Sequence, residues 1–336
     1  MHGWIILDKS LGLGSTQAVS AVKRALRNGG YGKFKVGHGG TLDPLATGVL
    51  PIAVGEATKL AGRLLDSDKI YAFTIRFGEQ TDTLDGEGAV IATSPVRPTV
   101  SAVESVLARF TGPIDQVPPA YSALKVDGER AYDRARAGEE VVLKSRAVVI
   151  HDLRSSALPQ TGEELEEATF IAHVSKGTYI RSLARDIALA LGTVGHVTML
   201  RRIKAGPFGL ESAITLDKLA ELGQSRALEG ILLPLRAGLD DIPAFPLTPD
   251  QAGALRQGRV LDGIAATDGA AFAMLDDVPV ALVDVIAGEV RVVRGFNLTM
   301  SKEEPCRSPQ SARPSWSRNT PARKATPAPP RCRSRF

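Results

Sequence analysis

The chain has 336 residues, of which 43% are hydrophobic, and it carries 41 basic and 37 acidic side chains. This length suffices for one large domain and one small one. The N-terminal MHGWIILDKS has too short an apolar run for a signal peptide, and no stretch approaches the roughly 20 apolar residues of a membrane span. We therefore expect a cytoplasmic protein without a membrane anchor. Both cysteines, Cys306 and Cys332, lie near the C-terminus, which excludes a disulfide framework and a thiolate metal site in the preceding 300 residues.

The formal net charge of +4 is unevenly distributed along the chain. Residues 299–336 contain nine Lys and Arg against two Glu, a balance of +7. Residues 1–298 therefore contain 32 basic and 35 acidic side chains, a balance of −3. If this larger part binds a nucleic acid, it must do so through a local basic patch rather than through its overall charge.

The first predicted elements are a strand at 4–8 and a helix at 16–27, for which Ser15 is a candidate N-cap. The glycine-rich stretch Gly37–Gly55, GHGGTLDPLATGVLPIAVG, follows. It holds a single carboxylate, Asp43, and the proline that follows pushes this residue into an extended or turn conformation. Because the stretch contains no Lys or Arg, Asp43 needs a cationic partner from another part of the chain.

A strand is predicted at 69–77, KIYAFTIRF, because its aromatic and β-branched residues alternate. On spacing alone, Tyr71 shares a face with Phe73, Ile75 and Phe77, and that pattern favours a core position over a functional one. A polar loop, 78–88, follows. Ser101 with Glu104 then predicts a capping box and a helix that runs to about residue 110.

Residues 111–140 differ in character, since they contain prolines, a predicted hairpin around Asp127-Gly128 and an Arg-rich helix. Strands are predicted at 146–151 and 169–174. Arg181 then lies near the start of a helix that ends at Gly192. A cation at a helix N-terminus opposes the macrodipole at a cost of about 0.3–1 kcal/mol. Arg181 therefore indicates an anionic partner, either a carboxylate or a phosphate, or else a purely structural ion pair.

The C-terminal third begins with a strand at 195–209 and a helix at 215–222, and a proline-containing linker follows at 234–249. Alternating strands then predict a small β-rich module that ends near residue 298. Residues 299–336 have seven prolines and little apolar content, which predicts disorder. This tail is interpreted either as a basic nucleic-acid arm or as read-through or a shifted reading frame. The abrupt change of composition favours the second interpretation.

Four segments, taken together, resemble the TruB family of tRNA pseudouridine synthases. They are GWIILDKSLGLGST (3–16), GHGGTLDPLATGVLPIAVGEATK (37–59) with DKIYAFTIRFGEQTDT (68–83), PPAYSALKVDGERAY (118–132), and SKGTYIRSLARDIALALG (175–192) with HVTMLRRIKAGPF (196–208). The GxLDPxATGxLP segment followed by a Lys-x-Tyr strand is highly specific. One departure is Ser10, which stands where the family usually has proline.

The resemblance implies an α+β fold, the pseudouridine-synthase fold, in which helices flank a mixed, mainly antiparallel sheet. It implies a catalytic domain over 1–240 with an RNA-gripping insertion at about 111–140. Residues 246–298 are similar to a small RNA-binding module of the PUA type. The implied reaction isomerises uridine to pseudouridine at position 55, in the T loop of tRNA, after the base flips out of the loop.

The resemblance also assigns the catalytic residues. Asp43 matches the catalytic aspartate, which attacks either ribose C1′ or C6 of the base. Arg181 matches the arginine that pairs with it and keeps the carboxylate charged. Tyr71 matches the tyrosine that stacks on the flipped base, a role that replaces the core position favoured by spacing alone.

Substrate-binding residues follow from the same motifs. His38 matches the histidine that fills the gap left by the flipped base, which offsets part of the few kcal/mol that flipping costs. Leu200 matches an apolar contact to the base, and Tyr179 and Lys9 fall inside matching motifs as supporting residues. The implied partner is the T arm of tRNA, bound by a monomer without a protein partner. No metal, cofactor, P-loop or metal-ligand spacing is expected.

Two alternatives stay open at this stage. A non-catalytic tRNA-binding or tRNA-folding protein would share the basic insertion and the C-terminal module but would not need Asp43. A glycoside or nucleoside hydrolase would need a second carboxylate in a matching motif. Asp82 and Asp85 are the nearest candidates, but they lie in a loop too polar to assign.

Overall fold

A computed structural model of the chain describes residues 1–122, 124–126, 128–139, 143–156, 164–264 and 267–298. Residues 1–298 form one compact unit. The prediction of a disordered tail at 299–336 lies outside the described residues. Among the helices of the described part, none is long and apolar enough to cross a membrane.

The strands, in chain order, are β1 (Gly3–Lys9), β2 (Val36–His38), β3 (Ala46–Val54), β4 (Lys69–Phe77), β5 (Glu79–Thr81), β6 (Val90–Thr93), β7 (Gly112–Gln116), β8 (Lys125–Val126), β9 (Glu129–Arg130), β10 (Arg146–Ser156), β11 (Glu167–Val174), β12 (Gly195–Ala205), β13 (Phe208–Gly209), β14 (Leu233–Pro234), β15 (Ala244–Pro246), β16 (Gly269–Leu275), β17 (Val278–Ile286) and β18 (Glu289–Gly295). The α-helices are α1 (Ser15–Asn28), α2 (Ala61–Asp66), α3 (Val100–Leu107), α4 (Ala131–Arg136), α5 (Ile180–Ala190), α6 (Leu216–Gln224) and α7 (Pro249–Arg256).

One ten-stranded sheet organises the larger part of the fold. Its order is β14-β1-β3-β12-β4-β11-β10-β7, with β13 paired to β12 and β2 paired to β3. Its ladders are antiparallel except for the pairing of β12 with β3, which is parallel. This arrangement confirms the expected α+β class with a mixed, mainly antiparallel sheet. Strand β7 is its edge strand, so residues 112–116 belong to the sheet, and the hairpin β8–β9 and helix α4 follow it.

Both faces of this sheet are covered, which explains why β1 reads as a continuous apolar run. Alternate side chains of a strand point to opposite faces. Trp4 and Ile6 therefore pack into one core, and Ile5 and Leu7 into another, which α1 and α6 cover. A third core lies between β4, β10, β11, β12 and helices α3 and α5, and it contains Phe73.

Strands β15 to β18 form a separate four-stranded sheet near the C-terminus. One face packs with helix α7 around Leu255 and Val283. On the opposite face, Phe272 and Leu282 share a core with Trp4 of the large sheet. The expected β-rich C-terminal region is therefore confirmed, and its core is continuous with that of the large sheet.

Two predicted helix caps were wrong by one or two residues. Helix α1 begins at Ser15 with Gly14 as its N-cap, because the Ser15 hydroxyl hydrogen-bonds the backbone of Leu42 instead. Helix α3 begins at Val100, and its N-cap Thr99 accepts a hydrogen bond from the Ala102 amide. Thr99 and Ser101 are both favourable N-cap residues, so propensity did not distinguish them.

We expect Gly48→Ala to destabilise the fold strongly, because three strands meet at Gly48. Its partners are Lys9 on β1 and Arg202 on β12. Gly48 has φ +98°, and an added Cβ would lie 2.2 Å from the Arg202 carbonyl oxygen. Clash and backbone strain together should lower the free energy of unfolding by more than about 2 kcal/mol, measured by chemical denaturation.

Gly37→Ala is the matched control, because it lies in the same segment and an added Cβ would meet nothing within 4 Å. This substitution should change the free energy of unfolding by less than about 0.5–1 kcal/mol. Equal stability of the two variants would contradict the close approach at Gly48.

Candidate active site

A cavity of about 340 Å³ lies where the loop before β3, the start of β4 and the start of α5 meet. Five of the seven predicted site residues line it: Asp43, Tyr71, Tyr179, Arg181 and Leu200. These residues come from four separate segments of the sequence. The cavity is therefore the place at which the predicted site is assembled.

The predicted partnership of Asp43 and Arg181 is confirmed. Arg181 Nη2 lies 2.9 Å from Asp43 Oδ2, although 138 residues separate the two in the chain. Arg181 is the second residue of α5, so the cation at this helix N-terminus does face a carboxylate. The Arg181 side chain is 9% exposed and that of Asp43 is 46% exposed. The Asp43 carboxylate is thus paired with a buried cation while it remains open to the cavity.

Arg181 also contacts a second carboxylate, which the sequence did not assign. Arg181 Nη1 lies 3.2 Å from Asp85 Oδ2, and the Asp85 side chain is only 10% exposed. The same guanidinium donates hydrogen bonds to the carbonyls of Thr83, at 2.9 Å, and Tyr121, at 3.0 Å. These contacts fix the orientation of the guanidinium independently of Asp43.

Asp85 was missed because its loop looked like ordinary solvated turn sequence. In the structure Asp85 bridges to Val197 of β12, and its Oδ1 accepts hydrogen bonds from the Thr83 hydroxyl, at 2.6 Å, and the Glu87 amide, at 3.1 Å. The Asp-Gly pair at 85–86 was the one available signal, since it is typical of an Asx-turn. That signal indicates a turn and carries no information on burial.

The loop that carries Asp43 is held from one side by Arg202, which is almost completely buried. Its guanidinium donates to the carbonyls of Gly40, at 3.1 Å, Thr41, at 3.3 Å, and Val49, at 2.7 Å. Arg202 therefore fixes both the loop before Asp43 and the strand after it. From the sequence alone, Arg202 is one of three cations in the strand predicted at 195–209.

Lys9 holds the same loop at Pro44. It is fully buried, and its ammonium donates to the carbonyls of Leu13, at 2.6 Å, Ser10, at 3.1 Å, and Pro44, at 3.2 Å. Burial lowers the pKa of Lys9 to about 8, against the opposing effect of the Asp43 charge. Lys9 was predicted to support substrate binding, but it does not line the cavity.

Tyr71 and Leu200 line the same cavity as the ion pair. They lie on neighbouring strands, where Tyr71 pairs with Arg202 and Leu200 with Phe73. Both side chains are half-buried, and each packs against two of the cores of the large sheet. The predicted row of Tyr71 with Phe73, Ile75 and Phe77 is also confirmed, and Tyr71 is its member at the cavity end.

Tyr179 is the N-cap residue of α5, and its amide donates to the Gln116 side chain at 2.8 Å. Burial raises the pKa of its phenol, while the charge of Arg146 opposes that shift. The Tyr179 phenol is therefore protonated at neutral pH. A protonated phenol at the edge of the cavity can donate a hydrogen bond to a bound group.

Lys69, which was not among the predicted site residues, also lines the cavity. It is buried, and its ammonium donates to the carbonyls of Leu64 and Leu65, at 2.8 Å each, and of Ser67. Burial, followed by the nearby Arg202 charge, lowers the pKa of Lys69 to about 8. Lys69 thus caps the C-terminus of α2 and fixes the start of β4.

His38 lies at the end of β2, where it pairs with Ile52, and it does not line the cavity. Its Nδ1 is buried without a hydrogen-bond partner among the described residues. Burial, and then the charge of Arg202, lower the pKa of His38, so the imidazole is neutral at pH 7. The structure therefore places His38 and Asp43 at different positions relative to the cavity, although only five residues separate them.

Two family models match consecutive parts of the chain. Residues 25–180 match the model of the TruB family pseudouridylate synthase N-terminal domain, and residues 181–240 match the tRNA pseudouridylate synthase B C-terminal domain. The chain is 66% identical to the tRNA pseudouridine synthase B of Novosphingobium aromaticivorans over 298 residues, which is 89% of this chain and 98% of the relative. It is 61% identical to that of Zymomonas mobilis, over 88% of this chain and 96% of the relative.

Solved structures with a similar fold include two complexes. One is an H/ACA RNP bound to a substrate RNA containing 2′-deoxyuridine, with a TM-score of 0.65 and 25% identity over 88% of this chain and 84% of the matched chain. Another is a Cbf5-Nop10-Gar1 complex, with a TM-score of 0.66 and 26% identity over 87% and 84% of the two chains. The two family models matched in order, and the high identity over nearly the full length of the relatives, show that the chain belongs to the TruB family of pseudouridylate synthases, which are isomerases.

Proposed function

We propose that this chain isomerises uridine to pseudouridine at position 55 in the T loop of tRNA, with Asp43 as the nucleophile. The observation that carries the proposal is the Asp43 carboxylate, paired with a buried Arg181 and open to a cavity walled by Tyr71 and Leu200. The relatives named tRNA pseudouridine synthase B support tRNA as the substrate. A tRNA substrate is consistent with action in the cytoplasm, and we expect a monomer.

The reaction requires the target base to leave the loop, because its glycosidic bond is not reachable in a stacked base. Asp43 then attacks either ribose C1′ or C6 of the uracil. The bond between C1′ and N1 breaks, the base turns, and C5 forms the new bond to C1′. The bond between Asp43 and the substrate then breaks, which regenerates the carboxylate. N1 gains a proton and C5 loses one, so the atoms balance without an external reagent. We assign Tyr71 to stacking on the base and to assisting the transfer of a proton.

The second carboxylate, Asp85, explains how Arg181 remains compensated during the reaction. Covalent attack converts the Asp43 carboxylate into a neutral ester, which removes one of the two anions beside Arg181. A buried cation without a partner is strongly unfavourable. Asp85 takes no part in the attack and keeps its contact with Arg181, so the guanidinium does not have to move when the intermediate forms.

The remaining residues support this chemistry in different ways. Arg202 and Lys9 hold the loop of Asp43 through its backbone carbonyls. We assign Tyr179 and Leu200 to contacts with the flipped nucleotide, because both line the cavity. His38 is assigned to the gap that the base leaves behind, since a neutral imidazole can enter a base stack without carrying a charge with it.

The T arm would be gripped outside the cavity. In α4, the exposed Arg136 lies 4.7 Å from the centre of the Tyr132 ring, a cation–π contact that orients its guanidinium. Arginines held in this way suit phosphate contacts, which provide most of the affinity for RNA. We propose residues 1–240 as the catalytic domain, with the hairpin and α4 as its gripping insertion, and 246–298 as a PUA-like RNA-binding module.

We expect Asp43→Asn to abolish the activity. An amide is not a nucleophile at neutral pH, so tritium release from C5-labelled uridine in tRNA should fall at least about 1,000-fold. Asp115→Asn is the control, because Asp115 is an exposed acid on the edge strand β7. Undiminished release from Asp43→Asn would disprove the nucleophile assignment. If the native chain binds tRNA tightly but releases no tritium, the result would favour a non-catalytic tRNA-binding protein.

Asp85→Asn should slow the chemical step while leaving tRNA binding unchanged. Loss of the charge beside Arg181 lets the guanidinium shift, and a displacement of about 1 Å at a reacting group costs on the order of 100-fold in rate. Single-turnover kinetics with saturating enzyme would measure this loss. Asp82→Asn, in the same loop, is the matched control, because Asp82 contacts the Tyr121 hydroxyl at 3.3 Å rather than Arg181. Equal rates for the two variants would contradict the role of Asp85.

A further inference from the structure

Three side chains that suit a transition metal converge outside the active-site cavity. Asp68, His151 and His173 each offer a ligand atom, and these atoms lie within 4.8 Å of one another. We propose that this cluster, the Asp68–His151–His173 triad, binds one Zn²⁺ ion.

Sheet pairing brings the three residues together. In β11, His173 pairs with Ile70 and Val174 with Lys69 of β4, so Asp68 lies one residue before that ladder begins. In β10, the register shifts between Ile150 and Asp152, so His151 is the extra residue of a β-bulge. Bulges redirect a side chain out of the regular alternation. The triad therefore spans three neighbouring strands at one end of the sheet.

The interatomic distances fit a chelate. His151 Nε2 lies 3.2 Å from Asp68 Oδ2, and His173 Nε2 lies 3.8 Å from the same oxygen. The centres of the two imidazole rings are 4.8 Å apart. In a tetrahedral zinc site, bonds of about 2.0–2.1 Å place neighbouring ligand atoms about 3.3 Å apart. Small side-chain movements would therefore be enough to accommodate the ion.

The chemistry of the ligands selects the metal. Two imidazole nitrogens with one carboxylate oxygen suit Zn²⁺ better than Mg²⁺ or Ca²⁺, which prefer oxygen ligands. The side chains of Asp68, His151 and His173 are 47%, 37% and 39% exposed. An ion can therefore enter from solvent, and its fourth position would be left to water.

Two cationic side chains of this region form ion pairs with carboxylates other than Asp68. Lys176 pairs with Asp66 at 3.1 Å, and Arg63 pairs with Asp241 at 2.8 Å. Within the described part of the chain, the only ion pairs of Asp68 are those with His151 and His173. The opposing explanation is an ion pair between this carboxylate and a protonated imidazole, which would need no metal.

The position of the triad gives the ion a structural consequence. Asp68 directly precedes Lys69, which lines the active-site cavity and starts β4. A metal bound to Asp68 would tie the start of β4 to β10 and β11. The ion would take no part in the isomerisation, and the proposal is independent of the reaction assigned above.

Zinc binding is tested on the full chain without an affinity tag. Cys306→Ser and Cys332→Ser remove the only two thiols, because thiolates bind Zn²⁺ wherever they lie. After treatment with a chelator, calorimetric titration with zinc chloride should give one site per chain. The melting temperature should rise with free Zn²⁺, since a ligand that binds the folded state stabilises it.

In this background, Asp68→Asn, His151→Ala and His173→Ala should each weaken Zn²⁺ binding by more than about 10-fold. Loss of a residue that only hydrogen-bonds a metal ligand already costs at least about 10-fold in affinity, and loss of a ligand should cost more. Asp66→Asn is the matched control, since Asp66 is a nearby exposed acid outside the triad, and it should bind as the parent does. The melting temperatures of the zinc-free variants verify that each variant is folded.

A second measurement identifies the ligand atoms directly. In protein labelled with ¹⁵N at histidine, zinc should shift the Nε2 resonances of His151 and His173 and leave those of His196 unchanged. Absence of a stoichiometric site, or a site that survives all three substitutions of the triad, would overturn the proposal and leave the triad as an ion pair.

Discussion

The guanidinium of Arg181 is buried between two carboxylates and two backbone carbonyls, and the geometry of the site depends on it. Burying an arginine is tolerable only when its charge and its donors are satisfied together. Asp43 and Asp85 supply the charge, and the carbonyls of Thr83 and Tyr121 take two of the donors. Three segments that are distant in sequence are therefore held around one side chain. Asp43 is the only one of the two carboxylates that also faces the cavity.

A second constraint is the use of buried cations to fix backbone rather than to bind anions. Arg202, Lys9 and Lys69 all donate to main-chain carbonyls around the cavity. Loops normally leave such carbonyls to water, so these contacts convert a glycine-rich segment into a rigid support. The lowered pKa values of Lys9 and Lys69 are the electrostatic cost of that burial. A loop that is already fixed loses little entropy when it holds a substrate, which is the advantage of preorganisation.

The sheet explains why these groups meet and why a second cluster forms at its end. Strand β12 pairs with β4 on one side and with β3 on the other. It therefore places Arg202 beside the loop of Asp43 and Leu200 beside Tyr71. Pairing of β4, β11 and β10 brings Asp68, His151 and His173 together by the same rule. Cross-strand neighbours are close in space whatever their separation in sequence.

The sequence by itself determined the fold class, the family and the pairing of Asp43 with Arg181. The resemblance of four motifs to the TruB family carried these results. Local signals alone left the anionic partner of Arg181 open and favoured a core position for Tyr71. Tertiary structure alone decided the burial of Asp85, the position of Lys9 behind the loop, and the convergence of the triad. Each of these depends on which strands become neighbours and which register they adopt, and local periodicity does not encode a contact between residues many positions apart.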